Sequence, residues 1–212
     1  MTTDDFPLLF VGTSSPEQWT DERLSYYNTG EINEVKNIVT GLLGIAGPEP
    51  KYIFPLTAHV DLKTALKPPD ISVISPFREQ VWQIRVALRT MGLGAVDVGD
   101  VESLQGAEKS VFSLFWEDYC LTPWLVAFVF RSRVVIISTV RSSKRFLPED
   151  QRLNRGIIFE AKRFNVALTR AKELLVIVGN GEILKAFFPW HHFSSLFDLK
   201  CVTDADALSV RI

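Results

Sequence analysis

Only two cysteines, Cys120 and Cys201, and three histidines occur in the 212 residues, and none of them share a metal-ligand spacing. That excludes a disulfide framework, gives structural zinc no support and fits a reducing compartment. Long apolar runs are missing too. The most apolar stretch, Leu121 to Phe130, spans about 10 residues where a membrane helix needs roughly 20, so a membrane span is not expected. Charge is in excess of neither sign. A net charge of -2 gives no global attraction to phosphate, so any nucleic-acid contact has to come from local Lys and Arg. No Gly-x-x-x-x-Gly-Lys-Ser/Thr loop is present to cradle phosphates, and no Asp-Glu pair reads as a magnesium site. No polar low-complexity tract suggests disorder. Asp4 and Asp5 precede a short apolar run, the wrong charge order for a signal peptide, and the chain reads as intracellular.

What is there describes a globular chain, 47% hydrophobic and 23% charged, long enough for one sizeable core. One domain over residues 1–200, with a tail at 201–212, is the expected organisation. The run Phe6 to Val11, ending in Gly12 and a Ser/Pro cluster, reads as an edge or lead-in strand. Asn28 and Thr29 are N-cap candidates for a helix whose Ile32, Val35, Ile38, Val39 and Leu42 share one face, stopped by Gly44 and Gly47-Pro48. Pro48 to Pro69 reads as a loop. Ile71 to Ser75 is a β-branched strand bounded by Pro76, followed at helical spacing by Val81, Ile84, Arg85 and Leu88. Further strands are read at Val96 to Val98, Val134 to Thr139 and Leu174 to Val178, with a helix from about Ala161 to Lys172 before the last. Alternating strands and helices predict a mainly parallel α/β sheet flanked by helices, with functional residues at the carboxyl ends of the strands.

Val111 to Arg133 departs from this pattern. It packs Trp116, Trp124 and five phenylalanines or tyrosines between Ser110 and the strand that would otherwise follow directly. It is either a translated intron retained in the gene model or a real aromatic-rich loop, whose exposed apolar patch would favour partners or aggregation.

Three further segments stand in fixed order: Ile74-Ser75-Pro76-Phe77-Arg78-Glu79-Gln80, Val101-Glu102-Ser103-Leu104-Gln105-Gly106-Ala107-Glu108, and Arg163-Phe164-Asn165-Val166-Ala167-Leu168-Thr169-Arg170-Ala171-Lys172. They resemble helicase motifs IV, V and VI. With Ile136-Ile137-Ser138-Thr139-Val140-Arg141-Ser142-Ser143 they make the chain similar, over roughly Phe6 to Phe193, to the carboxy-terminal RecA-like domain of superfamily 1 helicases. Within these, the Armitage-like RNA-silencing group is the nearest resemblance. Deleting the insertion restores the spacing of this family between motif V and the next strand.

The resemblance assigns roles residue by residue. Arg170 becomes an arginine finger, a planar cation that can add about a thousandfold or more to phosphoryl transfer when supplied from a facing domain. Read alone, it is a helix arginine in a salt bridge. Gln105, Gly106 and Glu108 become nucleotide contacts, Gly106 through close backbone approach and Glu108 by accepting from a ribose hydroxyl; read alone, they form a surface turn. Ser75, Thr139 and Asn165 become donors to an RNA phosphate or sugar, Pro76 and Phe77 offer a stacking face, and Arg141 lies near the RNA path. Phe77 reads equally well as core. Trp190, His191 and His192 read as packing.

Two residues depart from the family pattern. Asp100 stands where Ser or Thr touches phosphate, and its carboxylate would repel the backbone. Leu104 replaces an aromatic. The implied function is the carboxy-terminal half of an ATP-dependent 5′ to 3′ RNA helicase of RNA silencing or turnover. It would use ATP and Mg2+ only with a first RecA-like domain, in cis or in trans, and bind neither alone. Single-stranded RNA is the implied partner, and cytoplasm and ribonucleoprotein granules the implied location. The competing readings are a non-catalytic RNA- or protein-binding fragment and half of a DNA helicase.

Overall fold

The computed structural model describes residues 8–45, 65–100, 132–152, 171–187 and 209–210. Six strands form one sheet: β1 (Leu8–Gly12), β4 (Ile71–Ile74), β5 (Asp97–Gly99), β6 (Ser132–Ser138), β7 (Ala171–Gly179) and β8 (Ser209–Val210). Their spatial order is β5-β4-β6-β7-β1-β8, parallel throughout except for the antiparallel β8. The opening strand is therefore not an edge among the described strands, because β8 pairs with its outer side. A separate hairpin, absent from the sequence reading, joins β2 (Gln18–Thr20) to β3 (Ser25–Tyr27). The one Asp-Glu dipeptide in the sequence, Asp21-Glu22, lies in its exposed turn and not at a buried strand end.

The central strands β4, β6 and β7 carry runs of Ile, Val and Leu on successive residues because both faces of the sheet are covered. Val73, Ile136 and Val176 are buried on one face, and Ile74, Ile137 and Ile177 on the other. Helix α1 (Thr29–Leu42) lays Ile32, Val35, Ile38, Val39 and Leu42 into this core, and α2 (Arg78–Thr90) adds Val81, Ile84 and Leu88. Gly44, at φ 65°, ends the α1 segment in a left-handed conformation that glycine tolerates without strain. Two shorter helices follow, α3 (Leu147–Arg152) and α4 (Gly181–Phe187).

Three boundaries differ from the sequence reading. β5 begins one residue later than expected, at Asp97. Ala171 and Lys172, expected at the end of a helix, open β7, where Ala171 pairs with Ser132. Ser132 and Arg133, assigned to the insertion, belong to β6. Their physical tie is plain: Ser132 Oγ lies 2.5 Å from Ser72 Oγ, and Arg133 Nε donates to Glu173 across 2.7 Å, with Asp70 at 3.8 Å. Most of the 48–69 loop, the 161–170 part of the expected helix, the rest of the insertion and the tail apart from Ser209–Val210 lie outside the described residues.

Asn28 caps α1 through its side chain, which accepts from the Glu31 amide at 3.2 Å, while its Nδ2 donates to the carbonyls of Ser15 and Val140. Asn28→Ala removes the cap and leaves buried groups unpaired, so a loss of about 2 kcal/mol or more in urea unfolding is expected; a loss under about 0.5 kcal/mol would show that the cap is dispensable.

Candidate nucleic-acid interface

Parallel strands carry their loops to one edge, so β4, β6 and β7 deliver Ser75 to Phe77, Thr139 to Arg141 and Asn180 to the same carboxyl side of the sheet. The motif segments Ser75-Pro76-Phe77 and Thr139-Val140-Arg141 thus leave neighbouring strands, the last residue of β4, Ile74, pairing with Ile137 of β6. Ala171 opens β7 at the opposite, amino edge. Gln105, Gly106, Glu108, Asn165 and Arg170 lie outside the described residues.

Ser75 and Thr139 are buried, and neither hydroxyl has a hydrogen-bond partner. Their backbone amides are fixed, Ser75 N to the Gly99 carbonyl at 3.0 Å and Thr139 N to the Val178 carbonyl at 3.1 Å. Thr139 can sit there only because its neighbour on β7 is Gly179, where a Cβ would run into the Thr139 side chain. Phe77 is only 8% exposed and meets the Tyr26 ring edge-on at 5.8 Å, so its ring is committed to protein packing. Pro76 beside it is half-buried. Arg141, the expected neighbour of the RNA path, is 2% exposed: its guanidinium stacks on Tyr26 at 3.9 Å and grips Asp150 through two bonds of 2.5 and 2.7 Å.

Beneath these loops lies a polar network that the sequence reading missed. Val140 has φ 70°, a left-handed conformation strained for a β-branched residue. The first turn of α1 holds it from both sides. Glu31 Oε2 accepts from Val140 N at 2.9 Å, and Asn28 Nδ2 donates to the Val140 carbonyl at 3.2 Å. Glu31 Oε2 also accepts from Ser138 Oγ at 2.6 Å, and Ser138 Oγ in turn accepts from Gln80 Nε2 at 2.9 Å. The Asn28 amide donates to Gln80 Oε1 at 2.8 Å. Asn28 and Glu31 have the spacing of a capping box, but the carboxylate turns away from the Asn28 amide to serve β6, and Gln80 takes its place. A sequence signal existed: a polar pair at helix positions beside an apolar stripe. Only the fold shows which partners it takes.

Burial pushes the Glu31 carboxyl up from 4.5 to about 7, against the lowering effect of hydrogen bonds from Ser138, Val140 and Thr139; the nearby Glu17 charge adds to the rise. The folded state thus holds this proton more tightly than the unfolded chain. Its contribution to stability is fully present below pH 4.5 and is lost as pH rises to about 7. Glu31→Gln removes that titration, so the fall in melting temperature between pH 5 and pH 8 should be smaller in the variant than in the parent chain. Parallel pH profiles would show that Glu31 is not the titrating group.

The AAA domain family model matches residues 1–114 and 131–182 of this chain, skipping the middle of the aromatic-rich insertion. Among curated relatives, the putative helicase mov-10-B.1 of Danio rerio is 30% identical over 98% of the chain, and the putative helicase MOV-10 of Gallus gallus is 32% identical over 88%. The RNA helicase Mov10l1 of Homo sapiens is 34% identical over 84%. The chain spans 19%, 16% and 12% of the lengths of these three relatives. The family match over most of the chain, the mainly parallel RecA-like α/β sheet and the ordered motif segments lead to one assignment: the chain belongs to the AAA domain family, among the superfamily 1 helicases.

Proposed function

We propose that this chain is the carboxy-terminal half of an ATP-dependent 5′ to 3′ RNA helicase of RNA silencing or RNA turnover. In this reading it supplies the arginine finger Arg170 and part of the RNA path, and hydrolyses ATP only with a first RecA-like domain, in cis or in trans. The observation that carries the reading is the convergence of Ser75-Pro76-Phe77 and Thr139 on one sheet edge. Two buried hydroxyls without partners there cost stability, roughly 1–3 kcal/mol each, which a domain kept only for its fold has no reason to bear.

Arg170 acts on the nucleotide, and Ser75, Thr139 and Asn165 hold RNA sugar and phosphate without reading sequence. Gln105, Gly106 and Glu108 contact the nucleotide, whose Mg2+ is held by the first domain. This half lacks the P-loop, and among the described residues no group of three or more His, Cys, Asp or Glu side chains could hold a metal ion. Bound ATP supplies the phosphoryl group, and Arg170 stabilises the charge that develops on it. The work is cytoplasmic, extending to ribonucleoprotein granules. The insertion is a retained intron whose downstream boundary lies before Ser132, since Ser132 and Arg133 are built into β6.

Joined to its P-loop domain, the chain should show RNA-stimulated ATPase, and Arg170→Ala should lower kcat by about a thousandfold or more. The chain alone should show no hydrolysis above background. Retained turnover in Arg170→Ala would remove the finger from the reading. Sequencing the transcript across the codons for Lys109 to Val135 should reveal a spliced message without the inserted codons. A message that matches the chain throughout would make the aromatic-rich segment real protein and favour a binding module.

A further inference from the structure

Arg141 is held by three aromatic rings and a carboxylate. Its guanidinium carbon lies 3.9 Å from the Tyr26 ring centre, 4.8 Å from that of Phe146 and 4.9 Å from that of Phe77. Tyr26 packs on Phe146 at 5.2 Å and on Phe77 at 5.8 Å, so the three rings form a box with Arg141 inside. Asp150 closes it with a two-pronged ion pair, and both partners are 97% buried. Four elements meet at this one group: strand β3 through Tyr26, the loop after β4 through Phe77, the 3-10 turn Lys144–Phe146 through Phe146, and α3, which continues that turn, through Asp150. The strained Val140, gripped by Asn28 and Glu31, aims the following side chain into the box.

We propose that Arg141 is a positioning residue and not an RNA contact: its caged guanidinium sets the Ser75-Pro76-Phe77 loop and Thr139 in register with each other at the sheet edge. This rests on the RNA reading above for its consequence, although the cage itself is independent of it. The electrostatics favour the inward role. An arginine already neutralised by a buried carboxylate has little charge to offer a phosphate, and withdrawing it would strand Asp150 as an unpaired buried charge. A cation among aromatic faces, with a carboxylate in a planar two-point bond, is a site that lysine cannot fill equally well.

The positioning and contact roles predict opposite outcomes for the partner residue. Binding of fluorescent oligouridylate would be followed by anisotropy at several salt concentrations for the full chain, Arg141→Lys, Arg141→Ala and Asp150→Asn. A positioning residue makes Asp150→Asn weaken binding by about tenfold, as Arg141→Ala does, with the salt slope unchanged. Arg141→Lys should then resemble Arg141→Ala. The proposal is overturned if Asp150→Asn strengthens or does not change binding, or if Arg141→Ala reduces the salt slope by about 0.7, the signature of one lost phosphate contact on a single strand.

If the parent chain binds no oligouridylate at low salt, the RNA reading fails, and the cage is judged by chemical rescue. Millimolar methylguanidinium should raise the melting temperature of Arg141→Ala and leave that of the parent chain unchanged. No rise in the variant would overturn the cage as an organising element. Should Arg141→Ala not fold, the same rescue is read on Arg141→Lys.

Discussion

Val140 joins the last residues of β6 to the caged arginine in a conformation that its branched side chain disfavours, at a cost of order 1–3 kcal/mol. Such a peptide persists only where its surroundings over-determine it. Here both its amide and its carbonyl are taken by the first turn of α1, through Glu31 and Asn28. The same two side chains reach Ser15 and Ser138, and Gln80 at the start of α2 joins them by donating to Ser138 Oγ and accepting from the Asn28 backbone amide. One buried cluster therefore fixes the carboxyl edge of the sheet to both long helices. Remove it and Val140 relaxes, Arg141 loses its aim, and the box around it has nothing to close on.

Polar groups are an expensive way to hold a fold together, and the apolar core did not require them. The sheet already buries isoleucine and valine on both faces. What the cluster adds is definition: a carboxylate accepting two short bonds at set angles admits one arrangement of its neighbours, where packed methyl groups admit several. Glu31 carries its charge near neutral pH only against its own burial. Burial, an unsatisfied second oxygen and a strained neighbouring peptide all concentrate at the edge where the motif segments meet. That concentration is expected where a site is held ready for a ligand and not where a domain is only being stabilised.

Much of this was legible in the sequence, and the parts that were not have a common cause. The strands at Ile71 and Val134 and the helix from Thr29 announce themselves through β-branched runs, a cap and an apolar stripe, which are properties of neighbouring residues. The motif order likewise located Ser75, Thr139 and Arg141. The hairpin was missed because its strands are three residues each and hold together by Trp19 packing on Tyr26, a contact made across a turn. Asp150 and Glu31 were missed because each earns its place through a partner far away in sequence. Arg141 shows the limit most sharply: its identity was visible, but not the direction in which it faces, since that depends on Tyr26, Phe77 and Phe146 arriving from three other segments.

The strand order also explains why an interruption between motif V and β6 leaves the rest of the sheet in register. β5 and β6 are consecutive among the described strands but not neighbours, because β4 lies between them. The chain linking them is a crossover, and lengthening a crossover costs closure entropy slowly, about 0.6 kcal/mol for each doubling. An insertion inside a strand or a tight hairpin would instead shift every side chain beyond it to the wrong face. The pairings of β6 run from Val134 to Ile137 with β4 and from Ser132 to Ser138 with β7, and they are stitched at the amino edge by Ser72, Asp70 and Glu173. Whatever its origin, the added segment falls where this topology tolerates extra chain, and among the described residues Thr139 and Arg141 are placed at the carboxyl edge by Val178, Asp150, Tyr26, Phe77 and Phe146.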